Sequence, residues 1–252
     1  MAQQMTKPSS MAEKKSGGFL ETVRTLVYAV AIALVVRTFA YEPFNIPSGS
    51  MKPTLLVGDY LFVSKFSYGY SRYSLPLSLP LWSGRIFARL PERGDVVVFK
   101  LPSDNRTDYI KRVVGLPGDR IQVKSGIVWV NGEPARMERI GEFVEPGSSD
   151  RGIVYRETLP GDGSHTVMDL TPFGRLDNTD VYEVPPGHIF VMGDNRDNSL
   201  DSRVAHVGFV PLENLIGRAE ILFFSVDGSA EWWEFWKWPR AIRYGRLFQP
   251  IE

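Results

Sequence analysis

Ser48 and Ser50 are the residues in this chain best placed to do chemistry. They flank Gly49 inside the stretch Asn45-Ile46-Pro47-Ser48-Gly49-Ser50-Met51-Lys52-Pro53-Thr54-Leu55. Pro47 and Pro53 fix φ and push the residues before them out of the helical region, so the stretch reads as a stiff extended segment or turn. Gly49 lets another group approach the backbone closely. Ser-Gly-Ser alone is a common loop tripeptide, so a catalytic role has to be argued from a base. Histidine is the usual base for a serine that attacks a carbonyl. His165, His188 and His206 are scattered in segments with no other catalytic signature and lack HExxH-type spacing. Lysine is the alternative.

Lys111 is the lysine with the most unusual setting. Asp108-Tyr109-Ile110-Lys111-Arg112-Val113-Val114 reads as a strand that stops at Gly115-Leu116-Pro117-Gly118-Asp119. Side chains alternate across a strand, so Lys111 shares a face with Tyr109 and Val113, while Arg112 lies opposite with Ile110 and Val114. Taken alone, this pattern favours an edge strand with a solvated lysine, because burying an ammonium is costly. A lysine base asks for the opposite. Its ordinary pKa is near 10.4 and a useful base works at ~7–8. Lowering it that far takes roughly 4 kcal/mol, which strong desolvation or a nearby positive charge supplies. A Ser–Lys mechanism therefore requires Lys111 to be buried.

The elements that would position these groups begin at the N-terminus. Residues Met1 to Gly18 are polar, with Lys7, Lys14 and Lys15, and read as a disordered tail. Residues 19–41 follow, with an unbroken run of eleven apolar residues from Leu26 to Val36. Eleven is short of the ~20 needed to span a bilayer. Glu21, Arg24 and Arg37 lie near the ends, where long side chains snorkel, so the whole stretch reads as one transmembrane helix. Lys7, Lys14, Lys15 and Arg24 favour a cytoplasmic N-terminus, which puts everything after Tyr41 on the outer side. A cleavable signal peptide ending at Thr38-Phe39-Ala40 is the competing reading, and Arg37 between core and site weighs against it.

After residue 42 long helical periodicity is missing and the chain reads as mostly β. Tyr60 to Val63, Val96 to Lys100, His188 to Met192 and Leu215 to Ser225 read as strands, and Ile121 to Val123 and Ile127 to Val130 continue the sheet. Asn131-Gly132 is the strongest short hairpin signal. Residues 133–182 turn polar, with weak strands around Val154 and Val167, and look like a smaller β unit inserted in the first. The expected organisation is a tail (1–18), a transmembrane helix (19–41), a mainly antiparallel β domain (42–126 and 183–252) and the insert (127–182). Residues 66–90, aromatic and broken by prolines, read either as a long loop or as a lipid-facing surface. Four of the six tryptophans crowd Glu231-Trp232-Trp233-Glu234-Phe235-Trp236-Lys237-Trp238, where packing on the core is the default and docking on lipid the alternative.

Lys plus Arg and Asp plus Glu balance at 29 each, which gives no basic face for nucleic acid. Absence of cysteine excludes disulfides, thiolate catalysis and cysteine zinc sites. The segment Gly193-Asp194-Asn195-Arg196-Asp197-Asn198-Ser199-Leu200-Asp201-Ser202-Arg203 superficially looks like a calcium loop. However, Arg196 stands at a ligand position and the glycine and terminal glutamate of an EF-hand are missing. No metal and no cofactor are expected.

Four blocks, in order, carry a resemblance: Pro47 to Leu55, Arg93-Gly94-Asp95-Val96-Val97-Val98-Phe99, Tyr109 to Asp119, and Gly193 to Arg203. Behind a membrane segment, and covering residues 20 to about 225, they resemble the bacterial type I signal peptidase family of membrane-bound serine proteases. The resemblance implies Ser50 as nucleophile and Lys111 as general base. It implies an oxyanion hole from the Ser50 N–H and the Ser48 hydroxyl, with Ser199 orienting the lysine amine and an Asp201–Arg203 ion pair bracing the loop. Substrate would bind as an extended strand beside the segment before the nucleophile. Shallow pockets involving Phe44, Ile46, Pro47, Met51, Leu55, Leu61, Val98, Tyr109 and Ile110 would accept small residues at −1 and −3. The implied partners are secretory preproteins, membrane lipid and the neighbouring export machinery. The implied place is the cytoplasmic (inner) membrane, crossed once, with the catalytic domain on the outer or periplasmic face. A different class, a membrane-tethered β domain that binds extended peptides or lipid without cleaving, predicts that Ser50 and Lys111 are dispensable.

Overall fold

The computed structural model describes residues 19–75, 78, 82–145, 151–161, 163–231 and 233–251. The expected polar tail, together with Leu77, Leu79, Leu81 and Trp232, lies outside them. The chain is mostly β, with antiparallel sheets behind one long N-terminal helix, α1 (Phe19–Phe39). At ~1.5 Å per residue its 21 residues extend about 32 Å, enough for a hydrocarbon core of about 30 Å. None of its residues is buried within the protein. Its end is fastened to the β domain: Arg37 and the buried Lys65 both reach Glu42, at 2.9 and 2.8 Å, and the Tyr70 hydroxyl donates to the Phe39 carbonyl at 2.7 Å.

The strands, in chain order, are β1 (Tyr41–Asn45), β2 (Asp59–Ser64), β3 (Val96–Lys100), β4 (Asp108–Gly115), β5 (Arg120–Lys124), β6 (Ile127–Val130) and β7 (Glu133–Pro134). Then come β8 (Arg136–Val144), β9 (Arg151–Thr158), β10 (Ser164–Asp169), β11 (Tyr182–Glu183), β12 (His188–Met192), β13 (Val210–Pro211) and β14 (Leu215–Ser225). The main sheet runs β1-β2-β14-β3-β4-β12-β13. β3 lies inside it, and its Val-Val-Val-Phe run is buried on both faces, as a continuous apolar strand should be. β4 is also interior, between β3 and β12, with Val97 opposite Lys111 and Val98 opposite Ile110. The edge-strand reading of Lys111 is therefore wrong.

The alternation of β4 feeds three separate cores. Ile110 packs on the cluster of Met51, Leu55 and Leu61, Val113 belongs to the cluster of Phe99 and Val191, and Val114 to that of Ile121 and Phe190. The expectation that 121–123 and 127–130 continue this sheet fails. β5 and β6 form their own sheet, ordered β11-β5-β6-β7. The reason is two tight turns in succession. Ser125-Gly126 (φ 49° and 76°) and Asn131-Gly132 (φ 54° and 89°) both take the positive φ that two-residue hairpins need, so each strand pairs with its chain neighbour. β8, β9 and β10 form the third sheet. Among the described residues of the 66–90 stretch a bridge joins Tyr70 to Ile86, with Tyr68 and Tyr73 buried and Phe66, Ile86, Phe87 and Leu90 exposed. Trp233, Trp236 and Trp238 stand out from the core, at 53, 62 and 42% exposure, contrary to the default reading of the tail.

Candidate active site

β1 runs into the Pro47–Leu55 segment, and this delivers Ser50 to the start of β4. The Lys111 amine lies 2.7 Å from Ser50 Oγ and donates to the Ile110 carbonyl at 2.8 Å. The lysine is 3% exposed. No carboxylate among the described residues comes within ion-pair distance of it. Burial pushes its pKa down to about 8, and the more distant Asp201 and Asp194 oppose this only partly. The amine also lies 5.4 Å from the centre of the Tyr109 ring. A lysine in this state is neutral in a substantial fraction of molecules near pH 8. Its lone pair can then accept the Ser50 hydroxyl proton over the same 2.7 Å contact.

Ser48 Oγ is 3.4 Å from Ser50 Oγ on the exposed side. Ser199 is buried beside the pair, but its hydroxyl makes no hydrogen bond to Lys111. It lies close enough to Asp201 to help lower that carboxyl, without a well-formed bond of its own. Gly193 explains how Ser199 comes so near. A Cβ at 193 would lie 2.3 Å from Ser199 Oγ and 2.4 Å from the Ser50 carbonyl oxygen, so only glycine lets the loop and the Ser50 segment close together.

The segment 193–203 follows β12 and is held by buried arginines. Arg112 donates to both oxygens of Asp194 at 2.8 Å, Arg203 to both oxygens of Asp201 at 2.9 and 2.8 Å, and Arg196 to both oxygens of Glu157. Burial raises the Asp194 and Asp201 carboxyls, and the Arg112 and Arg203 guanidiniums outweigh it, holding both below the usual carboxylate range. Such fully satisfied bidentate pairs fix geometry. Their effect reaches Ser50 through Asn195. Its backbone N–H donates to the Ser50 carbonyl at 3.1 Å and its side-chain amide to the Gly49 carbonyl at 3.1 Å. Thr54 adds a bond to Asp194 at 2.6 Å, and Lys52 one to Glu145 at 2.5 Å. β10 of the third sheet is joined on: Met168 N–H donates to the Asp194 carbonyl and Arg196 N–H to the Met168 carbonyl.

Residues 47–50, 107–111, 175–176 and 197–200 line a cavity of about 540 Å3 over the pair. Pro47, Tyr109 and Ile110 are on its wall. Ile46, Met51, Leu55, Leu61 and Val98 lie beneath, in the core, with Phe44 packed against them. A second depression between β1 and β4, bordered by Phe44 and Asn45, shares Asp108 with the first. No histidine lines either depression: His165 is buried on Glu157 at 2.9 Å, His188 bonds the Pro186 carbonyl and His206 is exposed. The sequence reading assigned no role to Asn195, Arg112, Asp194, Lys52 or Glu157. The density of hydrogen-bonding groups in 193–203 is the only local signal for Asn195 and Asp194, and nothing local marks the other three.

A buried lysine on a serine hydroxyl, set in a β domain behind an apolar helix, suits a hydrolase acting at a membrane. Comparison with known proteins supplies the family. The model of the family described as signal peptidase, peptidase S26, matches residues 19–224, and the chain belongs to this family of peptidases. It is 41% identical over 249 residues to the signal peptidase I of Rickettsia conorii, covering 90% of this chain and 91% of that one. The signal peptidase I of Rickettsia typhi is 42% identical, with 90% and 92% covered. A crystal structure of a signal peptidase I from Enterococcus faecalis shares 25% identity over 52% of this chain and 97% of that chain, with a TM-score of 0.31.

Proposed function

We propose that this chain is a membrane-tethered serine endopeptidase that removes signal peptides from exported preproteins after a small residue, with Ser50 as nucleophile and Lys111 as general base. The observation that carries this is the 2.7 Å contact between Ser50 Oγ and a lysine amine that is buried without a carboxylate partner. Lys111 takes the proton as Ser50 Oγ attacks the scissile carbonyl. The Ser50 N–H and the Ser48 hydroxyl stabilise the oxyanion, an interaction that strengthens as charge develops. The protonated amine then donates to the departing amino group. In the second half the neutral amine activates water to release the acyl chain.

The preprotein lies as an extended strand along the segment 44–48, as β1 is an edge strand with an open side to receive one. Small residues at −1 and −3 fit because Ile46, Met51, Leu55, Leu61 and Val98 already fill the floor, leaving Phe44, Pro47, Tyr109 and Ile110 as a shallow rim. The Asp201–Arg203 pair braces the loop, and the Ser199 hydroxyl, buried beside the pair, positions the amine. The helix crosses the cytoplasmic membrane with its N-terminus inside, placing the site at the outer surface, where the scissile bond of a signal peptide also lies. The expected test result, with detergent-solubilised chain and a preprotein carrying an Ala-x-Ala site, is cutting after the −1 alanine that Ser50→Ala and Lys111→Met each abolish. A wild-type chain that binds the preprotein and never cuts it would make the non-catalytic β domain the better account.

A further inference from the structure

The segment between β10 and β11 crosses the active-site cavity, and the family assignment leaves it without a role. It is held along its length. The Leu170 and Thr171 N–H groups both donate to Asp197 at 2.9 Å, and Gly174 N–H donates to Asp177. The Asp177 carbonyl accepts from Gly126, and Thr179 pairs with Val123 on β5. The fit onto the catalytic loop is close: a Cβ at Gly174 would lie 1.9 Å from Asp197 Oδ1. This fixed segment sets Arg175 and Leu176 on the cavity wall next to residues 197–200.

The charges here are uneven. Asp108, at one end of the cavity, is paired with Lys100 at 2.7 Å. Asp197 accepts from two backbone N–H groups and lies beside Asp169, whose carboxyl burial and Asp197 push up. Among the described residues the exposed Arg175 guanidinium has no hydrogen bond and no ion pair. Asp108 has its cation and Asp197 its backbone donors, and the Arg175 guanidinium is left facing the cavity. The position along the groove then identifies the ligand. Phe44 and Asn45 border the second depression and residues 47–50 the first, so a strand laid along 44–48 enters the first cavity at Ser50 and continues toward 175–176 and 197–200. Arg175 therefore borders the part of the cavity beyond the scissile bond.

We infer that Arg175 selects for an acidic side chain in the first residues after the cut, taking its carboxylate in a charge-assisted hydrogen bond. This rests on the reading of the site as the one that cleaves preproteins. Because the guanidinium is exposed, the preference is modest, about threefold, and salt weakens it.

The test uses the full chain in detergent and matched preproteins with Asp, Asn or Lys at +1, +2 or +3 behind one Ala-x-Ala site. The readout is the ratio of kcat/KM values for Asp and Asn substrates within each variant, which does not depend on how much of a variant is folded. Wild type should favour Asp at one of the three positions by about threefold at low ionic strength. The ratio should fall to near one in Arg175→Gln and at high salt, and Arg175→Glu should favour Lys instead. Equal cleavage of all substrates by wild type, or a preference that survives Arg175→Gln, overturns this inference alone. Absence of cleavage of every substrate overturns the reading of the site, and this inference with it.

Discussion

Lys52 and Lys111 both lie close to Ser50 and are about equally buried, at 4 and 3% exposure, yet their surroundings differ in one respect. Lys52 has the carboxylate of Glu145 at 2.5 Å. Lys111 has a hydroxyl and a carbonyl. The same contrast runs through the loop behind them, where buried Arg112, Arg196 and Arg203 each hold a carboxylate by two bonds. A buried cation with its counter-charge is kept ionised and serves to fix geometry. One denied a counter-charge is pushed toward neutrality and becomes available as a base. The site places both kinds within a few residues of each other.

The largest effect expected from this contrast is catalytic. Lys111→Met should lower kcat/KM by more than about 10^3-fold, because the proposed base is lost. Lys52→Met should cost less than about tenfold, because Glu145 is near enough to the surface to be solvated once unpaired. Equal losses in a preprotein cleavage assay would erase the distinction. Next comes Asp194→Ala, which leaves Arg112 buried without its partner and should cost about 3–5 kcal/mol in urea unfolding. A loss below about 1 kcal/mol would mean that the paired arginines are not structural.

Stability against pH sharpens the comparison further. The folded pKa of Lys111, about 8, lies below its ordinary value of 10.5. Between those values the unfolded chain binds the proton and the folded chain does not, so stability rises with pH through that window. Below about pH 8 the full cost of charging a buried amine is present. Lys111→Met removes it and should stabilise the protein by up to about 3 kcal/mol at pH 7. The gain should shrink as pH approaches 10.5. A destabilised Lys111→Met protein would show that the amine is well solvated in the fold.

The paired and unpaired groups were unequally legible in the sequence. The strand phase that sends Ile110 and Lys111 to opposite faces could be read directly, because alternation in β4 is local, whereas Ser50 and Lys111 were linked only through the four-block resemblance. The burial of Lys111 could not, since it comes from β3 and β12 on either side and from the 193–203 loop above. The pairing of Arg112 with Asp194 spans 82 residues and that of Lys52 with Glu145 spans 93, and no local pattern marks either. The helix was legible from its apolar run. The tryptophan tail was misread because aromatic content signals burial only when some surface is there to receive it.

The most direct test of the central claim is the pH dependence of kcat/KM for a preprotein substrate, measured on the wild-type chain. A rising limb with an apparent pKa near 8 is expected, as Lys111 loses its proton. A limb near 6.5 would return the role of base to a histidine, and one near 10.4 would mean that the lysine is not desolvated when it acts.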